Sequence, residues 1–153
     1  MREYQIIQLI SSFVGCLGFA LLTKVRGRQI LYGGIGGLLT CAVYIMALNL
    51  HFGLFTSVLM SSIFIAIYSE IMARINKAPA TIFLTISAVP LIPGGNLYYM
   101  MYGLVTENQE MAKAQGLLAL TTSLGLGLGI VIVAVLSKYI RKGLKDVRQK
   151  RNR

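Results

Sequence analysis

"SAVPLIPGGNLYYMMYGL", residues 87–104, decides how the chain is read. It lies in a run apolar enough to cross a membrane, yet it holds two of the three prolines, followed at once by two glycines. Each proline lacks an N–H and crowds the carbonyl four residues back, so the carbonyls of Ile86 and Val89 are expected to lose their helix partners. Gly94 and Gly95 permit backbone angles that stop a helix, and Asn96 is placed to cap a new one. Counted from Pro79, Pro90 is about eleven residues into the span, roughly 16 Å at about 1.5 Å per residue, near mid-bilayer. Backbone groups freed there cannot face lipid; they are buried in protein or line a cavity. Transporters use such discontinuous helices to hold solutes at the midplane, the positive end of a half-helix facing an anion. A proline kink repaired by neighbouring helices is the plainer alternative, but two prolines and a double glycine exceed what a kink needs.

Outward from this segment, the chain has the composition of a membrane protein. Of its 153 residues, 56% are hydrophobic and 13% charged, too few charges to cover a soluble domain of this size. A span needs about 20 apolar residues to cross roughly 30 Å of hydrocarbon. Five windows qualify, at about 5–23, 30–50, 54–73, 80–105 and 116–137. The expected fold is all-α: an integral membrane bundle of about five helices, the fourth broken at Pro-x-x-Pro-Gly-Gly. Residues 1–137 form the transmembrane domain and 138–153 a basic tail. The 106–115 connection, with Glu107, Glu110 and Lys113, is expected to be a solvated amphipathic turn.

Charge orients the bundle. With five spans, the 24–28 loop, Arg74, Lys77 and the tail fall on one side with thirteen of the fifteen basic residues. Arg2 and Lys113 fall on the other. The positive-inside rule then puts the N-terminus outside and the C-terminus in the cytoplasm. The first segment is read as a span rather than a leader, because its apolar run is long and cations follow it. A dip and return by 80–105 would carry the octabasic tail to the outer face, so the segment is expected to cross.

Most polar residues have a plain reading. Glycines four apart, Gly33/Gly37 and Gly125/Gly129, let helices approach closely in lipid and are expected to pack against other helices, including a partner's. Gly127 points away from that pair, which suggests packing on a second side of the last helix. Cys16 and Cys41 are expected to be small core residues. Glu70 is the one acid of the first three spans. An ionisable group within a span is a functional candidate, but Arg74 stands at the spacing of a helical ion pair. Glu70 and Arg74 are therefore carried as a coupling pair or a structural ion pair. His51 and Asn49 are read as interfacial loop residues. No nucleophile, zinc motif or carboxylate pair is visible, so neither an enzyme, a metal site nor a cofactor is expected. The tail is read as a topology anchor touching anionic lipid rather than as a nucleic-acid module.

The stretch "KAPATIFLTISAVPLIPGGNLYYMMYGLV" resembles the signature region of the threonine/serine exporter family, in particular its short, membrane-only half. The matching features are the Lys77–Ala78–Pro79 entry, Pro-x-x-Pro-Gly at 90–94, and the aromatic run Tyr98, Tyr99 and Tyr102. Length, span number and the glycine-rich second helix agree with that family. The resemblance implies export of small metabolites, threonine and serine in some members and succinate in others, across a bacterial inner membrane. It also implies a larger partner subunit that carries the other half of the transporter, with a homo-oligomer and a non-transporting scaffold subunit as the alternatives. The expected solute-binding residues are Pro90, Pro93, Gly94, Gly95, Asn96, Tyr98, Tyr99 and Tyr102.

Overall fold

The computed structural model describes residues 3–25 and 27–151, with side chains described as far as Tyr139. Arg2, Arg26 and the tail cations beyond Lys138, on which the charge count and the lipid-anchor reading lean, lie outside the described side chains. The elements are α1 (Glu3–Leu22), α2 (Arg28–Asn49), α3 (Leu54–Asn76), α4 (Ala80–Ser87), a 3-10 turn (Val89–Leu91), α5 (Gly94–Val105) and α6 (Gln109–Arg151). By length and composition α1, α2, α3 and the Gln109–Tyr139 part of α6 are each able to cross a membrane. α4 and the Val89–Val105 stretch, bent by 42°, are together long and apolar enough to be a fifth. The expected all-α membrane bundle is what the chain forms.

The contacts fix the path of that bent span. Gly125 of α6 lies against Phe55 and Val58 of α3, Gly129 against Ser62, and Ser137 against Glu70. These pairs advance together along both helices, so α6 runs parallel to α3. The segment between them leaves the C-terminal end of α3 and must arrive at the N-terminal end of α6, which lies beyond the start of α3, since Gln109 precedes by sixteen residues the Gly125 that meets Phe55. It therefore traverses the bundle rather than turning back.

Glycines set the spacing. On α2, Gly33, Gly34, Gly36 and Gly37 are all buried. A Cβ on Gly34 would meet Leu17 and Phe13 of α1; one on Gly33 or Gly36 would meet Ile86 or Ser87 of α4. Gly37 is approached by Cys16 and Pro90 together. α2 is thus the hub on which α1 and the break are mounted, and close approach in lipid is what its glycines supply. Gly129 is similarly filled by Ser62, whereas Gly127 is exposed with nothing within 4 Å of a Cβ. α6 is nevertheless packed on two sides, because Gly116, on the face that Gly127 shares, lies against Met100 of α5. Cys16 and Cys41 are buried and free, as expected.

Hydroxyls add a second layer of joints. Ser62 Oγ donates to the Gly125 carbonyl at 3.1 Å, Ser87 Oγ to that of Gly33 at 3.0 Å, and Tyr68 Oη to that of Tyr32 at 2.7 Å. Interhelical hydrogen bonds of this kind contribute about 0.6 kcal/mol each on average in a membrane bundle. Gln5 Nε2 donates to Asn49 Oδ1 at 2.9 Å, tying the start of α1 to the end of α2.

The helix ends correct one expectation and give His51 a definite part. The 106–115 connection is much shorter than a ten-residue turn, because Asn108 Oδ1 accepts the N–H of Met111 at 3.1 Å and starts α6 at Gln109. A side-chain acceptor at this position satisfies one of the open donors of a first turn. Glu110 and Lys113 are consequently helical, and Gly103 lets α5 approach the Ala112 backbone. At the other ends, Lys24, His51, Lys77 and Glu107 close helices in the left-handed conformation, φ 50–62°. After α2, His51 N–H bonds the Leu48 carbonyl and Phe52 N–H that of Ala47, the paired bonds of a Schellman ending. His51 thus has a structural task.

Candidate functional site

The break begins where α4 ends, with the Ala88 N–H reaching the carbonyls of Leu84 and Ile86. The Leu91 N–H then bonds the Ala88 carbonyl at 2.9 Å and the Ile92 N–H that of Val89 at 3.3 Å. The Val89 carbonyl is therefore not left open, contrary to the sequence expectation: a 3-10 turn shortens the reach and recovers a partner. Pro93 (φ −77°, ψ 48°) is the centre of an inverse γ-turn closed by Gly94 N–H to Ile92 carbonyl at 2.8 Å. That turn redirects the chain, and the Pro93 carbonyl accepts the Leu97 N–H at 3.0 Å to start α5.

Two roles assigned from sequence change accordingly. Gly94 and Gly95 are the first two residues of α5, not its stop, and Gly27 has the positive φ recorded among the glycines. Pro93 occupies the N-cap, no side chain caps the helix, and Asn96 is its third residue. The reason is that the γ-turn, unlike a glycine stop, leaves Gly94 already in helical conformation. Among the described residues, the N–H groups of Gly95 and Asn96 have no acceptor, as expected of an uncapped first turn.

Neither glycine is required by its own surroundings. Both are exposed, and a Cβ on either would meet nothing within 4 Å. Every buried glycine of α2 is filled by a neighbour; these two lie beside open space. On α5 the one-turn spacing puts Gly95, Tyr98, Tyr99 and Tyr102 on one face. Tyr98 and Tyr99 meet edge to face with centroids 5.3 Å apart, and all three rings are about half exposed or more. Asn96 falls on the neighbouring face with Met100 and Gly103, which pack against Gly116 and Ala112 of α6. Its side chain therefore leaves the tyrosine face, and its backbone N–H is what it shares with Gly95. Pro90 is half-buried, its ring 3.7 Å from the position of a Gly37 Cβ.

Glu70 and Arg74 occupy a separate place. The Arg74 guanidinium stands 3.9 Å from the Glu70 carboxylate, and Ser137 Oγ of α6 donates to the same carboxylate at 3.5 Å. They sit at one end of a crevice of about 310 Å³ between α3 and α6. Sequence reasoning found the pair but not the crevice. Nor did it find the buried serines Ser57, Ser61, Ser62 and Ser69 of α3. Their signal was the small residue repeated three, four or seven positions apart, as informative as the glycine spacing.

With this geometry in view, the comparisons with known proteins are specific. The family model described as "Threonine/Serine exporter, ThrE" matches residues 8–136, which include every helix of the bundle and the whole of the break. A search of the curated proteins and a search of the solved structures each found no match.

Proposed function

The chain belongs to the threonine/serine exporter family, and from that premise we propose that it is the small membrane subunit of an exporter of carboxylate-bearing metabolites. Threonine, serine and a dicarboxylate such as succinate are the candidate solutes. The observation that carries this reading is the pair of exposed glycines at the break. They stand at the start of a half-helix whose first amides are open, and among the described residues nothing lies within 4 Å of where their Cβ atoms would be. A carboxylate approaching there would receive N–H donors and the positive end of the α5 dipole, and the absent Cβ atoms would let it come close. Tyr98, Tyr99 and Tyr102 would wall the approach on the Gly95 side, and Pro90 and Pro93 would hold the turn. Glu70 and Arg74 are kept outside this site.

The proposed setting is a bacterial inner membrane with the C-terminus in the cytoplasm, the chain working beside a larger subunit of its family. The test is efflux from cells preloaded with threonine, serine or succinate, with the chain expressed alone, with the larger subunit, or not at all. Efflux of one solute that needs both subunits is the expected result. Efflux that never depends on this chain, although the larger subunit is more abundant when it is present, would make it a scaffold.

A further inference from the structure

The crevice between α3 and α6 has the shape and chemistry of a lipid site. Its α3 wall is formed by Ile63, Ile67 and Ile71, with Glu70 and Arg74 at one end; α6 closes it with aliphatic residues and Ser137. From Ile63 to Arg74 is eleven residues, roughly 16 Å along the helix at about 1.5 Å per residue. That is about the depth of one leaflet, half of the roughly 30 Å hydrocarbon core. A volume of 310 Å³ equals about ten waters at roughly 30 Å³ each, and a chain methylene is of similar size. An apolar trough lined over about the depth of a leaflet and bearing charges at one end suits a chain with a polar head better than a compact solute.

The charges narrow the head. Arg74 lies in the last turn of α3, where its side chain can reach the headgroup region. Its guanidinium offers several N–H donors and matches a phosphate. An arginine alone would favour anionic lipid, which the basic end of the bundle already attracts. Glu70 changes the selection, because its carboxylate opens into the same crevice 3.9 Å from the guanidinium. It repels a purely anionic head and gives an acceptor to an N–H-bearing cation. Ser137, whose single hydroxyl proton is within reach of the Ala134 carbonyl at 3.0 Å and of Glu70 at 3.5 Å, contributes further acceptor lone pairs. A head combining a phosphate with a primary ammonium complements both the guanidinium and the carboxylate in addition to their own pairing; a choline head, which has no N–H, complements the carboxylate less well.

We propose that this crevice binds an aminophospholipid of the leaflet reached by the C-terminal end of α3, one acyl chain along the isoleucine wall, its phosphate at Arg74 and its ammonium at Glu70. The site is separate from the break and does not depend on which solute is exported. Its occupant would span the α3–α6 joint, which is otherwise held by Gly125, Gly129 and Ser62.

The full chain, purified in mild detergent, is incubated with equal amounts of phosphatidylethanolamine, phosphatidylcholine and phosphatidylglycerol, and retained lipid is counted by native mass spectrometry. Phosphatidylethanolamine is expected to be retained about ten-fold over the other two, the scale of one charge-assisted hydrogen bond. Glu70→Gln should bring phosphatidylethanolamine down to the level of phosphatidylcholine, and Arg74→Gln should lower all three. Ile67→Trp, which fills the trough and leaves the charges in place, should expel lipid altogether; it decides the matter if either charge variant misfolds. Equal retention of the three lipids, or an ethanolamine preference that survives Ile67→Trp, overturns the proposal. So does displacement of the lipid by millimolar L-threonine, which would make the crevice a solute site.

Discussion

His51 stands alone between two spans, and a lone histidine invites a reading as a pH sensor or a metal ligand. Its backbone supplies another account: at φ 62° it is the left-handed residue that closes α2. Histidine tolerates that region better than most residues, though glycine does so at no steric cost. His51→Gly should therefore raise stability by about 0.5–1 kcal/mol, the relieved left-handed cost less the added entropy of the unfolded chain. His51→Val should lower it by at least as much, since a β-branched residue is a true outlier there. Thermal unfolding of the two purified variants in one detergent reads the difference. Efflux should be unaffected by His51→Gly; a loss would give the imidazole a role beyond ending the helix. Gly37 is the opposite case, a residue with no room at all. Sequence spacing showed that it packs but not against what, and Cys16 and Pro90 of the same chain are the answer. Gly37→Leu is thus expected to destabilise the subunit itself by about 1–3 kcal/mol, the usual cost of overpacking, instead of loosening a partner. The check is thermal unfolding of the isolated chain; unchanged stability with lost association would return Gly37 to the interface.

At the scale of the elements, the bent fourth span shows how far sequence reasoning carries. The existence of the break and its place within an apolar run were legible, because proline chemistry and the apolar run length are local facts. The local repair was not. Whether a carbonyl freed by a proline is left open depends on how tightly the next turn winds, and here a 3-10 turn and a γ-turn recover partners that the proline rule alone removes. Nor could spacing tell that α4 leans on α1, α2 and α3 while α5 leans on α6. This bears on how the break should be tested. Pro90 touches the α2 hub, so replacing it would disturb packing along with backbone geometry. A Cβ on Gly94 or Gly95 would meet nothing within 4 Å, which makes Gly94→Ala with Gly95→Ala the cleaner change. Alanine favours helix by up to about 1 kcal/mol per glycine, so the variant should be at least as stable as the parent. If solute approaches the first amides of α5, two methyl groups there should still cut efflux by about ten-fold, the effect of losing roughly 1.4 kcal/mol of binding. The comparison is made at equal membrane levels with the larger subunit present. Full efflux would mean that the glycines serve only the turn.

Across the whole molecule, the parallel alignment of α3 and α6 divides the chain into two ends. Residue 3, the 49–54 connection and the 106–108 connection share one end; the 22–28 and 76–80 connections and Lys138 share the other. Glu3, Glu107 and Glu110 lie near the first end, Lys24, Arg28, Arg74 and Lys77 at the second, so the charge asymmetry counted along the sequence becomes a separation in space. Cations resist transfer across the membrane, and on that rule we propose that the end gathering them is the cytoplasmic one. The two native cysteines are buried at 0% and 2% exposure and will stay silent to a bulky, impermeant maleimide, so single exposed cysteines can report sidedness without removing them. Thr106 and Lys77 are exposed residues at opposite ends of the bent span. Thr106→Cys should be labelled in intact cells whose outer membrane has been made permeable, and Lys77→Cys only after the inner membrane is opened. The reverse pattern would invert the orientation and leave the bundle as described. Labelling of both in intact cells would place residues 77 and 106 on the same side. The segment between them would then be re-entrant, and the alignment of α6 with α3 could not hold, because Gly125, Gly129 and Ser137 would have to meet α3 in the opposite order.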